Sequence, residues 1–428
     1  MVRRRIVIAG AGFGGLYTAL GLEKRLKNRD DVSVTLLNAE NFFLFTPMLP
    51  EAAASSIGTR HIVSPLRKLL RRTGFAEVSV ESIDLEAHIV HARHSLAGLP
   101  REYRYDHLVI ALGGVTQYFN IPGAREHSIP IKTLGDAIYV RNRTIDRLEE
   151  SAVVPEKRGE LTTFVIVGGG LTGVEISGAL NDFVRAVAKY YPEIESDKIR
   201  MVLVEAGPRL MPEMDQKLAE FAEKVLGERG VEVRTRTSVV RVDDSVVHLS
   251  TGEAITTGTL IWAAGVGPSP LMASLEVPKD SKGRIKANEY LEVDGHPGVW
   301  SLGDLANIPG SNTGRPYPPT AQHAVREGRL LANNLAARLE GKPLSPFEYR
   351  SLGQMALVGE RTGIADVMGH RFSGFFAWFL WRTYYLMQIP QREKRLRVML
   401  DWTLDLFFER DLVQLAVTRQ GLAGGSPG

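Results

Sequence analysis

The chain of 428 residues carries 44% hydrophobic and 24% charged positions, enough to bury at least two ordinary cores and far from a disordered composition. Its 52 basic residues nearly balance 49 acidic ones, and they are spread along the chain instead of forming one dense arm, so nucleic acid is not an expected partner. Cysteine is absent, which excludes disulfides, thiolate nucleophiles, redox dithiols and cysteine-ligated metals, and no metal site is expected.

The opening Met1-Val2-Arg3-Arg4-Arg5 runs straight into the apolar Ile6-Val7-Ile8-Ala9, leaving no room for a cleavable signal, so the chain is expected to stay on the cytoplasmic side. Those apolar residues read as a buried strand, Gly10-Ala11-Gly12-Phe13-Gly14-Gly15 as a turn, and residues 16–22 as a helix. Strand, glycine turn and helix in that order form a dinucleotide fingerprint. Gly10 permits the tight turn, Gly12 lets the backbone approach a pyrophosphate, and Gly14 and Gly15 bring the helix close. The next strand, residues 32–37, ends at Asn38, about where an acidic residue usually grips a ribose. Asn38 can still hydrogen-bond a hydroxyl, and Glu40 lies two residues on. Residues 108–114 form an apolar strand ending in small residues, placing Gly113 beside the same nucleotide.

The same grammar returns about 160 residues later. Thr163-Phe164-Val165-Ile166-Val167 reads as a strand, Gly168-Gly169-Gly170-Leu171-Thr172-Gly173 as the turn, with Gly168, Gly170 and Gly173 at the fingerprint positions, and residues 174–180 as the helix. Its partner strand, residues 201–204, ends in Glu205, whose carboxylate suits two ribose hydroxyls and would repel a 2'-phosphate, so this site is expected to prefer NADH to NADPH. Residues 260–265 close this second unit and set Gly265 beside the nicotinamide.

A nucleotide fold inserted in another requires the outer one to be completed later. Val299-Trp300-Ser301-Leu302-Gly303-Asp304 fits that return. It resembles the Gly-Asp segment of glutathione-reductase-like flavoproteins, which implies Gly303 and Asp304 at the FAD ribityl chain. A helix beginning near Thr320, after Pro318-Pro319, would aim its positive end and the backbone at Ala321 toward the flavin. His323 in that first turn reads as a packing or capping residue.

From about residue 350 the composition changes, and residues 372–408 hold eleven of the thirty-three aromatics. Residues 372–389 are apolar apart from Arg382 and a few small polar groups, a borderline length for spanning a bilayer, and Pro390 ends them. A second helix from about Leu396 would put Arg397, Asp401, Asp405 and Glu409 on one face. A helix pair lying in the membrane interface fits this pattern, with Phe376, Trp378 and Trp381 as anchors. A homodimer interface or a lid over the flavin is the other reading.

With these elements in hand, nearly the whole chain resembles the type II NADH dehydrogenases, the single-subunit NADH:quinone oxidoreductase family. The resemblance is carried by Asn41-Phe42-Phe43-Leu44-Phe45-Thr46-Pro47-Met48-Leu49-Pro50, by the segment Val167 through Glu175, and by Pro318-Pro319-Thr320-Ala321-Gln322-His323-Ala324. It implies FAD as cofactor, NADH as substrate and a membrane quinone as acceptor, without proton pumping, at the cytoplasmic face of the cell membrane. It also implies Thr46 and Pro47 near the flavin, Val80 at the adenine end through its backbone, and Gln322 where quinone meets the ring. Glu175, near the nicotinamide, is implied in proton transfer; its plainer reading is a carboxylate stabilised at a helix N-terminus. Glu175 and Gln322 are thus the candidate catalytic residues. Four positions after Gln322, where the family commonly has a second glutamine, stands Arg326.

The expected architecture is α/β, with two Rossmann-like domains and a C-terminal helical, membrane-associating segment. The FAD-binding domain takes residues 1–125 and 289–345, a linker helix 126–160, and the inserted NADH-binding domain 161–288. A membrane-anchoring region takes 346–420 and a disordered tail 421–428. Two rivals remain: a soluble flavoprotein reductase of a redox protein, which would have no use for the aromatic C-terminus, and a nucleotide-sensing regulator, against which Glu175, Glu205, Asp304 and Gln322 speak.

Overall fold

The computed structural model describes residues 3–310 and 315–414, so the expected tail at 421–428 lies outside the described residues. Two sheets organise it. In the first, seven strands run in the order Val299–Ser301, His107–Ile110, Arg4–Ala9, Val32–Asn38, Gly74–Asp84, Ile89–His94, Pro100–Arg104. The first five are parallel, and the last two add an antiparallel edge. The second sheet is parallel throughout, in the order Ile129–Pro130, Thr259–Trp262, Thr163–Val167, Arg200–Val204, Val231–Arg234. Thr163–Val167 is buried at every position, the continuous apolar run that a parallel strand covered on both faces requires.

In each sheet the strand before the glycine turn lies between two strands that come later in the chain. Arg4–Ala9 has Val32–Asn38 on one side and His107–Ile110 on the other, and Thr163–Val167 has Arg200–Val204 and Thr259–Trp262. The connections diverge there and leave a crevice at the carboxyl ends of the strands. The helices α1 (Phe13–Arg25) and, in the second unit, a helix over Leu171–Ala188 begin at these crevices. Helix α1 packs closely on Ala321–Leu339: a Cβ at Gly328 would stand 2.4 Å from the Gly14 oxygen, and one at Gly21 2.5 Å from the Ala332 Cβ.

The nesting differs from expectation at both joints. Within 126–160, Ile129–Pro130 already belongs to the second sheet, beside Ile261 and Trp262. The helix α2 (Leu134–Val153) follows, started by a reciprocal cap in which Thr133 Oγ1 accepts from Asp136 N at 3.1 Å and Asp136 Oδ2 from Thr133 N at 2.7 Å. On the way back, Met272, Leu275 and Ile285 share a core with Val7, Leu37 and Leu108, and Ile285–Lys286 pairs with Ala306–Asn307. The chain has thus returned to the core beside the first sheet before the expected boundary at 288. An antiparallel ribbon of Gly114–Thr116 and Val266–Pro268 joins the two units.

The C-terminal region holds an element that periodicity missed, a three-stranded antiparallel sheet of Gly353–Leu357, Gly363–Val367 and His370–Gly374. The helix over Leu171–Ala188, here α3, supports it, and an added Cβ at Gly178 would stand 2.6 Å from the Gly359 nitrogen. The helix α4 is Ala321–Leu339, and α5, Phe375–Gln388, has 14 residues. At about 1.5 Å per residue, α5 is shorter than a hydrocarbon core of roughly 30 Å. No helix among the described residues is long and apolar enough to cross a membrane.

The expected tryptophan anchors are not at the surface: Trp378 is 8% exposed and Trp381 1%. Helix α5 lies so close on the strand Gly363–Val367 that a Cβ at Gly363 would meet the Trp378 nitrogen at 2.8 Å, and the two indoles fall on that inner face. Phe376 is exposed as expected, beside Phe375 and Phe379. Helix α6 spans Arg392–Leu404, so Asp405 and Glu409 fall beyond it and the expected polar stripe of Arg397, Asp401, Asp405 and Glu409 is not completed. Asp401 turns inward, accepting from the Gly58 nitrogen at 3.0 Å and pairing with His61. Trp381→Ala should therefore cost about 3–5 kcal/mol of stability. A matched Phe379→Ser should change it by no more than about 0.5 kcal/mol in denaturant melts of the purified protein.

Candidate functional site

The two glycine turns are built alike. Gly10 and Gly168 have φ of +102° and +107°, left-handed values that favour glycine. Their nitrogens donate to Leu37 and Val204 main-chain oxygens, both at 2.8 Å. A Cβ at Gly15 would stand 1.8 Å from the Gly10 oxygen, and one at Gly173 1.7 Å from the Gly168 oxygen. A Cβ at Gly12 or Gly170, by contrast, meets nothing within 4 Å. These two glycines are the N-caps of α1 and α3, and neither supplies a side-chain cap, so the first helical amides keep their donors for an anion. Open space at one glycine and backbone contact at another are the cradle that a pyrophosphate fits.

The residue at the end of each partner strand locks the turn. Asn38 Oδ1 accepts from Ala11 N at 2.9 Å while its Nδ2 donates to the Glu40 oxygen at 2.8 Å. At the matching place Glu205 Oε2 accepts from Gly169 N at 2.6 Å and Oε1 from Gly207 N at 2.5 Å. The sequence reading gave both residues to ribose hydroxyls. In the fold, their first task is holding the glycine turn. Asn38 has its amide group engaged in this way, and Glu40 is the free carboxylate of the pair, raised in pKa by burial and by Glu77.

One cavity of about 2010 Å³ joins the two units, beyond the roughly 300–1,000 Å³ of a single-ligand pocket. Gly10, Gly12, Gly14, Asn38, Glu40, Thr46, Pro47, Val80 and Gly113 line one part of it. Glu175, Gly265, Gly303, Asp304, Ala321 and Gln322 line the rest. Gly15, Gly168, Gly170, Gly173 and Glu205 do not, although Leu171 and Thr172 carry the second turn to its wall. Asp304 is paired with Lys132 at 3.5 Å. Behind it the buried Glu327 accepts from Gly303 N at 2.8 Å. Neither Lys132 nor Glu327 was singled out from sequence. For Glu327 a signal existed, a carboxylate on the same helix face as Ala324, Gly328 and Leu331.

Helix α4 opens at this cavity with Thr320 as its cap, and Thr320 Oγ1 lies 2.7 Å from His323 Nδ1. His323 is buried and its pKa falls to about 4 through burial and the nearby Arg326 cation, so it is neutral at pH 7 and its ring packs against the capping Thr320. Gln322 Nε2 donates to the Gly353 oxygen, and its Oε1 accepts from the Tyr349 hydroxyl, both at 2.8 Å. Glu175 takes the Leu357 amide on Oε1 at 3.2 Å. Burial, with the nearby Glu51 carboxylate adding, pushes Glu175 up to about 8, so it holds a proton at neutral pH. Burial raises Glu51 to about 7 against the pull of Arg382 and the Trp402 indole, and Glu327 to about 7 against the Gly303 amide. Among the described residues no cluster suited to a metal ion exists.

A parallel-sheet pair with two glycine turns sharing one cavity defines a two-dinucleotide oxidoreductase fold. The family model described as pyridine nucleotide-disulphide oxidoreductase matches residues 4–328, and one described as the NDH2 C-terminal domain matches 352–411. A probable NADH dehydrogenase from Dictyostelium discoideum is 33% identical over 420 residues, covering 95% of this chain and 90% of that protein. The type II NADH:quinone oxidoreductase Ndh of Mycobacterium tuberculosis is 32% identical over 435 residues, covering 98% and 91%. Among solved structures, NDH2 from Plasmodium falciparum in complex with NADH superposes with a TM-score of 0.89 at 21% identity, over 96% of this chain and 100% of that one. The chain belongs to the pyridine nucleotide-disulphide oxidoreductase family, in its type II NADH dehydrogenase branch. With no cysteine anywhere, it shares that family's nucleotide units without its dithiol.

The paired turns separate binding from folding. Gly173→Ala should cost about 3 kcal/mol of stability or more, because the backbone oxygen it meets cannot give way. Gly170→Ala should leave the melting temperature nearly unchanged yet weaken NADH binding about tenfold or more in a fluorescence titration. The raised carboxyls also set a pH dependence. Glu327 contributes stability that is complete below its ordinary value of 4.5 and is lost as pH rises to about 7, since the unfolded chain releases the proton that the fold retains. Across that window Glu327→Gln should flatten the fall of the melting temperature with pH, removing a penalty of up to about 3 kcal/mol.

Proposed function

We propose that the chain oxidises NADH through bound FAD and passes the two electrons to a membrane quinone, with the balance NADH + quinone + H⁺ → NAD⁺ + quinol. The observation that carries this reading is the continuity of one cavity from the Gly10 turn, past Glu175 and Asp304, to Gln322 at the start of α4. FAD, when bound, supplies hydride acceptance and two-electron delivery. The chain supplies orientation and charge. Gly10, Gly12 and the uncapped start of α1 would hold the pyrophosphate. Glu40 would take ribose hydroxyls in place of Asn38, and Val80 would meet the adenine through its backbone. Asp304, set by Lys132 and Glu327, would take a ribityl hydroxyl, with Thr46, Pro47, Gly113 and Ala321 beside the ring.

On the nicotinamide side, Gly265 and Glu175 face the cavity, and Glu175 can hold or yield a proton near neutral pH. Each Glu205 oxygen keeps a lone pair beyond its amide bond. A carboxylate so placed favours ribose hydroxyls over a phosphate, and NADH over NADPH. Residues 129–265, with Ile129–Pro130 already in the second sheet, act as the NADH-binding unit inside an FAD-binding unit that resumes near 271.

The C-terminal pair is the membrane contact. Helix α5 exposes Phe375, Phe376 and Phe379, and α6 exposes Leu396, Met399 and Leu400, an apolar surface with Arg392, Lys394 and Arg397 at its edge. On the cytoplasmic face of the cell membrane this surface would bring the acceptor end of the cavity to the lipid where quinone is dissolved. A second copy of the chain on the same surface is the competing occupant.

The test is steady-state NADH oxidation by the purified protein. Turnover should be fast with a short-chain quinone, slow with NADPH as donor, and absent with a small redox protein as acceptor; a preference for the redox protein would overturn the reading. Phe376→Ser with Phe379→Ser should release the protein from lipid vesicles and lower long-chain quinone turnover far more than turnover of a water-soluble quinone. A pair variant that stays on vesicles but changes from dimer to monomer would assign the surface to self-association.

A further inference from the structure

Arg326 stands one helical turn beyond Gln322 on α4 and lines the same cavity. Its Nη1 donates to the Gln322 main-chain oxygen at 2.9 Å, and its guanidinium lies over the Tyr349 ring, 4.2 Å from the centroid. Tyr349 in turn donates to Gln322 Oε1, and Gln322 Nε2 to the Gly353 oxygen, both at 2.8 Å. Arg326, Tyr349, Gln322 and the first residue of the C-terminal sheet therefore form one bonded frame. Within it the guanidinium is held over an aromatic face by the ring and the helix carbonyl, and its other N–H donors have no protein partner among the described residues.

The charge of this group is unanswered. Arg326 makes no ion pair among the described residues, and its bond to the helix carbonyl uses one of five N–H donors. It is half-buried, and the amino end of α4 adds a partial charge of the same sign. A half-buried cation without a counter-charge costs free energy that a negatively charged ligand oxygen would offset. Of the other cationic side chains on the cavity wall, Lys132 and Arg284 have Asp304 and Asp280 as partners, Lys279 gives its ammonium to the Ala273 and Leu275 carbonyl oxygens, and Lys282 is exposed to water.

The proposed function puts the quinone at this end of the cavity, and the role assigned to Arg326 rests on that placement. When two electrons reach a quinone ring, negative charge develops on its carbonyl oxygens until two protons neutralise them as hydroxyls. We propose that Arg326 binds a carbonyl oxygen of the quinone and makes the acceptor site select rings that carry negative charge on that oxygen over neutral rings of the same size. Arg326 gives up no proton in the step and stays cationic; the electrons come from the reduced cofactor and the protons from elsewhere in the site. Arginine suits this task because its fork is planar and always charged, and because Tyr349 and the Gln322 carbonyl pre-orient it.

The test uses the FAD-loaded full chain and two probes of nearly equal shape, 1,4-naphthoquinone, which is neutral, and 2-hydroxy-1,4-naphthoquinone, which is an anion at neutral pH. Calorimetric titration without NADH should show the anion bound about tenfold more tightly than the neutral ring by the wild type. Arg326→Gln should bring the two within about twofold, and Arg326→Lys, which keeps charge but loses the stacked fork, should fall between. Flavin content and melting temperature verify that each variant is folded. The proposal is overturned if Arg326→Gln keeps the wild-type preference, or if the wild type has none. Should the wild type bind neither probe and fail to reduce quinone while NADH still bleaches its flavin, the quinone reading itself falls, an outcome distinct from a lost preference.

Discussion

The contact between the last glycine of each turn and the carbonyl oxygen of the first is the constraint on which the rest of the molecule depends. Because Gly15 meets Gly10 and Gly173 meets Gly168 with no room for a Cβ, each helix starts directly against the carboxyl end of its strand. That position is where neighbouring strands diverge, so the free amides of the helix face a crevice instead of a packed core. The same arrangement made twice, with the two crevices opening into one space, produces the large cavity. Without the close contact, the helix would stand off the sheet and the anion cradle would not form.

Much of this was legible in the sequence because glycine spacing reports backbone contact directly. Side-chain tasks were less legible. Asn38 and Glu205 were correctly placed at the strand ends, but what they grip first is the neighbouring turn, a partner that depends on the curl of the backbone and not on spacing. Lys132 reaches Asp304 across 172 positions of sequence, and no local pattern announces such a pair. The aromatic C-terminus was visibly unusual, yet periodicity cannot say which face of an all-apolar helix meets the protein. Trp378 and Trp381, three apart, share the inward face, and the phenylalanines take the outward one. The small sheet under α5 escaped notice because five-residue strands with glycine at their ends carry little alternation.

Charge along the cavity is graded by burial more than by net composition. On the α3 side stands Glu175, which retains its proton near neutral pH, and at α4 stand a neutral His323, an amino-terminal helix end and the Arg326 cation. A chain whose overall charge is close to balance thus carries on this wall a protonated carboxyl at Glu175 and a cation without an ion pair among the described residues at Arg326. Such local asymmetry is what a reaction moving electrons across a cavity can use, and it arises from desolvation and helix orientation that composition does not disclose.

The ribbon that joins the two nucleotide units has a wider consequence. Gly114–Thr116 and Val266–Pro268 pair through main-chain groups, and Gln117 continues the join by taking the Trp262 indole on its carbonyl at 2.8 Å while its own amide meets the Gly265 oxygen at 3.0 Å. The distance between the two crevices is therefore set largely by peptide groups, with the Trp262 indole added to them. Substitution can run far along such a chain before the spacing of its two nucleotides is disturbed. In this architecture descent should be traceable in the shape of the backbone long after it has faded from the side chains.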